Sequence, residues 1–122
     1  MEKKILLPTD VSDNAWNSII YGLKLFGSET CKFYLLNAVK TKSLSMSNFS
    51  NRFSETVRET AMKNLLDLKK IIERVNANAS HRFEIILSTQ ELKRAIELAV
   101  KKHEIEMVVM GCKWSKRILF WE

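Results

Sequence analysis

A three-layer α/β domain built on a doubly wound parallel sheet is the fold class that this 122-residue sequence predicts, and three observations predict it. Strand-like apolar runs alternate with helix-like stripes from one end to the other, the pattern of repeated βαβ units. The strand runs are almost wholly apolar, as strands covered on both faces must be. The first run, Ile5-Leu6-Leu7-Pro8-Thr9-Asp10, stops at a carboxylate, and the last, Met107-Val108-Val109-Met110-Gly111, stops at a glycine. In a parallel sheet such strand ends gather at one crevice, where ligands bind.

The elements follow in order. Residues 4–7 read as a strand bounded by Pro8. Ser12 or Asp13 can cap the next helix, whose stripe of Trp16, Ile19, Ile20, Leu23 and Phe26 ends at Gly27. Residues 32–39 (KFYLLNAV) form a second strand, and residues 41–51, rich in Ser, Lys and Asn, a surface loop. A long helix over 53–75 places Val57, Ala61, Leu65, Leu68, Ile72 and Val75 at three- and four-residue steps, so these should be buried. Residues 82–87 (RFEIIL) read as the third strand. A third helix over 90–103 has Leu92, Ile96, Ala99 and Val100 inward, and 106–110 is the fourth strand.

Composition narrows the function class. The length suits one domain over 1–122, with a divergent tail at 112–122. A hydrophobic fraction of 46% argues against disorder, and no apolar run approaches the roughly 18 residues of a membrane span. With no signal-peptide pattern after Met1, the expected location is cytoplasmic. Cys31 and Cys112 are too few for a disulfide framework or zinc site and read as reduced thiols. The net charge of +6 favours anionic partners, but Lys69-Lys70, Lys101-Lys102 and Lys113, Lys116, Arg117 build no single stripe.

The opening Lys3-Lys4-Ile5-Leu6-Leu7-Pro8-Thr9-Asp10-Val11-Ser12 resembles the first strand and loop of universal stress proteins. Tyr34-Leu35-Leu36-Asn37-Ala38-Val39 before a long second helix, and Ile105-Glu106-Met107-Val108-Val109-Met110-Gly111, are similar to the family's second and fourth strands. The resemblance runs over residues 2–113. It implies an adenine nucleotide alpha hydrolase-like sheet of order 3-2-1-4-5, a homodimer and, in one branch of the family, ATP or AMP binding. By that resemblance Asp10 would sit at the nucleoside. Ala38 and Val39 would meet the base through their main chain, and Met110 and Gly111 would open the phosphate loop.

The tail departs from the family pattern. Trp114 stands where the loop's second glycine belongs, and the third would fall past Glu122. Those glycines let backbone N–H groups approach phosphate with no side chain between, and an indole blocks that approach. The eleven residues 112–122 also leave no room for the family's last helix and fifth strand, so the fourth strand would become an open edge. The apolar segment 118–121 would cover that edge or pair with a second copy. One origin for such a tail is a shifted reading frame. Trp has the single codon TGG, and one base forward it always yields Gly. Ser115, Lys116 and Arg117 can then read as Ala-Ser-Gly, restoring a Gly-Ala-Ser-Gly loop. A natural tail that packs on the sheet is the simpler alternative.

Other constellations carry less. Asp10 as a catalytic carboxylate has no partner acid or base, and a local capping role is the simpler one. His81 and His103 lack metal-ligand spacing and are expected at the surface or at helix ends. Ser12 lacks a nucleophile-elbow sequence, and Cys112 reads as an inert thiol beside Lys113. Met46, Met62, Met107 and Met110 are gap fillers or loop residues. Trp114, Phe120 and Trp121 near Lys116 and Arg117 could form a nucleic-acid patch, though packing on the sheet edge ranks above it.

The reading that results is a non-enzymatic stress-response module acting through self-association and protein contacts. It requires no cofactor, uses no membrane and ranks nucleic acid low among partners. The alternative is an adenine-nucleotide binder with an impaired phosphate loop, its remaining contacts at Asp10, Ala38, Val39, Met110 and Gly111. The frame-shift origin is checked by reading the gene one base forward from codon 114: an open continuation with helix and strand patterns is expected, and an immediate stop rules it out.

Overall fold

The computed structural model describes residues 2–9, 13–39, 51–76, 78–111 and 118–121. Within them the alternation legible in the sequence is the alternation adopted. Strand β1 (Lys3–Pro8) leads to helix α1 (Asp13–Leu25), and β2 (Cys31–Ala38) to α2 (Asn51–Val75). Then come β3 (Arg82–Ser88), α3 (Leu92–His103), β4 (Met107–Gly111) and β5 (Ile118–Trp121). The capping expectation at Ser12, the loop expected over 41–51 and the residues 112–117 lie outside the described residues, apart from Asn51, which opens α2.

The sheet has the order β3-β2-β1-β4-β5. Its first four strands are parallel, so the parallel sheet expected from the alternation is present. The expected end of the sheet at four strands is corrected: Ile118–Trp121 forms a fifth strand, antiparallel to β4, with Gly111 opposite Ile118 and Val108 opposite Trp121. Four apolar residues following a short connection can reverse and pair with the edge, which satisfies backbone groups that would otherwise stay open.

Residue parity along the strands sorts the core into two layers. Ile5, Leu7, Phe33, Leu35 and Val109 face α1 and α2, meeting Ile19, Leu23 and Phe26 from the first and Leu65, Leu68 and Ile72 from the second. Leu6, Tyr34, Leu36 and Val108 face the other way, onto Ala95, Ile96 and Ala99 of α3 and onto Ile105. Two helices on one face and one on the other follow from right-handed crossovers, because the chain reverses its direction across the sheet between β3 and β4. Helix α1 approaches closely at Gly22, where an added Cβ would lie 3.3 Å from Leu7 Cδ2.

Two expected core positions are surface positions. Val75 is 52% exposed and Leu92 41% exposed. Val75 is the last residue of α2 and Leu92 the first of α3. At the amino ends of the strands, charged groups pair across neighbours. Arg82 Nε and Nη2 each donate to the Glu2 carboxylate at 2.7 Å, and Lys3 Nζ donates to Glu29 Oε1 at 2.9 Å. The Arg82 guanidinium holds the Glu2 carboxyl below the usual carboxylate range. Both pairs are solvent-exposed and so contribute little to stability.

Two stability effects follow. Glu104, beyond the end of α3, adopts a left-handed backbone (φ 55°, ψ 46°), where an L side chain is disfavoured. Glu104→Gly is expected to raise stability by about 0.5–1 kcal/mol, read from urea midpoints. Cys31 is fully buried, and burial pushes its thiol up to about 11 from an ordinary value of 9.0. Its stabilising effect is therefore complete below pH 9 and is lost between pH 9 and 11, because only the unfolded thiol ionises there. The folding constant should drop about tenfold per pH unit across that window relative to a Cys31→Val variant in parallel urea melts.

Candidate functional site

Parallel register brings the proposed site residues to one edge. Pro8 pairs with Leu36, Leu6 with Val108, and Ala38 with Ser88. Extending those ladders sets Met110 level with Pro8, Gly111 with Thr9 and Asn37, and the Ala38–Ser88 pair one residue further on, all at the carboxyl ends of β1, β2, β3 and β4. The edge spans the switch point, since β1 leads one way to β2 while β4 arrives from the other side. Val39 and Gly111 flank β1 at roughly two strand spacings, or about 10 Å, the breadth of a nucleoside.

The chemistry available there is mostly main chain. Val39 N–H donates to the Ser88 carbonyl at 2.7 Å, and Thr9 N–H to the Leu36 carbonyl at 2.7 Å. The Val39 amide is thus committed to the sheet, which leaves its carbonyl as the group to meet a base. Ser88 Oγ accepts from Gln90 N–H at 3.1 Å, turning the chain out of β3. Thr9 is buried and Met110 half-buried against the α3 layer. Gly111 is a ladder residue of the β4–β5 pair, opposite Ile118, and residues 112–117 join the two strands. Asp10 lies outside the described residues. The described ends of the four parallel strands carry no charged side chain; the described charge pairs of β1, β2 and β3 sit at the opposite edge.

Ala38 and Val39 thus lie at the carboxyl end of β2, and Met110 and Gly111 at that of β4, on either side of β1. Ser88 and Thr9 were missed as members of the same edge; their signal was a hydroxyl residue directly after an apolar strand run. The two histidines part from the sequence reading unequally. His103 closes α3 as expected and also packs its ring 4.6 Å from that of Tyr34. His81, expected at the surface or at a helix end, is 7% exposed and has both ring nitrogens within hydrogen-bond distance of oxygens in the residues that follow α1 and α2. Among the described residues no three His, Cys, Asp or Glu side chains gather in a way that could hold a metal ion.

Comparison with known proteins agrees with this fold. The family model described as "Universal stress protein family" matches residues 1–118. Hypothetical protein MJ0577 superposes with a TM-score of 0.75 at 21% identity, covering 89% of this chain and 73% of that one. Universal stress protein UspA from Lactobacillus plantarum gives 0.64 at 18% identity, covering 94% and 82%. A universal stress protein family member from Burkholderia pseudomallei gives 0.63 at 16%, covering 90% and 81%. At these identities the likeness is one of fold. No curated protein matches the chain.

Proposed function

Because the chain belongs to the universal stress protein family, we propose that it is a non-enzymatic stress-response module that works in the cytoplasm through self-association and protein contacts. The observation that carries this reading is the pairing of Gly111 with Ile118. A polyphosphate needs a run of backbone N–H groups that converge without side chains between them. The residue that would open such a loop is here built into an antiparallel ladder, and the next strand begins seven positions later. The described strand ends add no cation to balance a triphosphate. Strand β5 is last in the sheet order, and a second copy pairing there would close the edge, which supports a homodimer.

A second reading keeps the nucleoside half of the site. The strand ends at Ala38, Val39, Met110 and Gly111, together with the Asp10 that the family resemblance assigns to the nucleoside, support AMP or a nucleoside as ligand while the triphosphate is refused. No metal or other cofactor enters either reading.

Calorimetric titration with ATP and AMP separates the readings. We expect no heat of ATP binding up to about 1 mM, where binding energy would be only about 4 kcal/mol. Micromolar ATP affinity overturns the proposal, and AMP binding without ATP binding selects the second reading. Light scattering after size exclusion should give twice the chain mass, and a monomer at micromolar concentration overturns the self-association.

A further inference from the structure

Strand β3 stands first in the sheet order and, among the described residues, bonds a strand on one side only, to β2. A strand in that position is the most readily detached, and its free N–H and C=O groups are a template for other chains. It starts at Arg82, opposite Lys32 of β2, so the segments that lead into the two strands lie together at the edge opposite the crevice. Those segments are residues 26–30, which follow α1, and residues 76–81, which follow α2.

One side chain reaches across. Asn78 Nδ2 donates to the Gly27 carbonyl and to the Glu29 carbonyl, each at 3.0 Å, and Asn78 Oδ1 accepts from Ser80 N–H at 2.8 Å. All three partners are main-chain groups that can only donate or only accept, so they fix which way the amide points. An asparagine is what this position requires. Its short side chain carries two N–H donors for two carbonyls and one oxygen for the amide of its own turn, whereas a carboxylate only accepts. The Asn78 carbonyl accepts from His81 N–H at 3.1 Å, which closes the turn immediately before β3. The chain positions joined by the two Nδ2 bonds are 51 and 49 residues apart.

We propose that Asn78 is a strap that makes the turn after α1 and the turn after α2 a single opening unit, so that β3 cannot leave the sheet at its start unless the turn before β2 opens with it. Hydrogen bonds to half-buried carbonyls add little to global stability. What the strap changes is cooperativity: without it the turn before β3 opens alone, and the outer strand frays from that end. The strap thus guards an edge that β3 otherwise presents with one ladder and the exposed charge of Arg82.

Amide hydrogen exchange in rising, sub-denaturing urea reads the unit directly. Gly27 and Glu29 N–H, bonded to the Lys24 and Phe26 carbonyls, report the first turn, and Ser80 and His81 N–H report the second. In the wild type all four should open with one free energy and one urea dependence. In Asn78→Ala their protection should fall about tenfold relative to Leu6 and Leu7 of β1. Asn78→Asp keeps an acceptor for Ser80 N–H but has no donor, and it should still lose protection at Gly27 and Glu29. Separate urea dependences in the wild type, or unchanged protection of Gly27 and Glu29 in either variant, overturn the strap. A loss shared equally by Leu6 and Leu7 is general destabilisation and overturns it too. If neither variant folds, the wild-type urea dependences decide alone.

Discussion

Everything in this domain is arranged around β1. Ile5, Leu6 and Leu7 are fully buried, and their strand bonds β2 on one side and β4 on the other. Alternate side chains of one short run supply both core layers, so neither face can be polar. The same strand is where the winding reverses, which is why the chain's first and last parallel strands are neighbours. A polar residue at any of these three positions would leave an unsatisfied group in one layer, and the whole parallel ladder depends on their remaining apolar. The ion pairs at the strand starts can be exposed and weak because that ladder already holds the strands.

The sheet's outer side is settled by β5. A four-stranded sheet would end at Val108 and Val109, two buried residues with their backbone on the boundary. Pairing them with Trp121 and Phe120 moves the boundary outward by one strand. The same pairing commits Gly111 to a ladder. Covering the edge and forming a phosphate-wrapping loop thus compete for the same glycine, and here the edge has it.

Most of the fold was legible in the sequence because its signals are local. The strand runs 4–7, 32–39, 82–87 and 106–110 and the helix stripes needed only the order of apolar residues. What failed did so where a neighbour decides. Val75 and Leu92 continue their stripes, but they are the last residue of α2 and the first of α3, and periodicity carries no information about where the packing against a helix stops. His81 follows a polar turn and was expected at the surface or at a helix end; its burial comes from Phe26 and Glu29, which lie more than fifty residues earlier in the chain.

The candidate site divides along the same line. The chain alone determined which residue types end each parallel strand: small or hydroxyl-bearing at Thr9, Ala38 and Ser88, and glycine at 111. Only the tertiary structure decided that Val39 donates its amide to Ser88 and that Gly111 faces Ile118. Side-chain chemistry is written residue by residue, whereas the partner of a backbone amide depends on strand register, and register is set by the packing of layers that lie far apart in the chain.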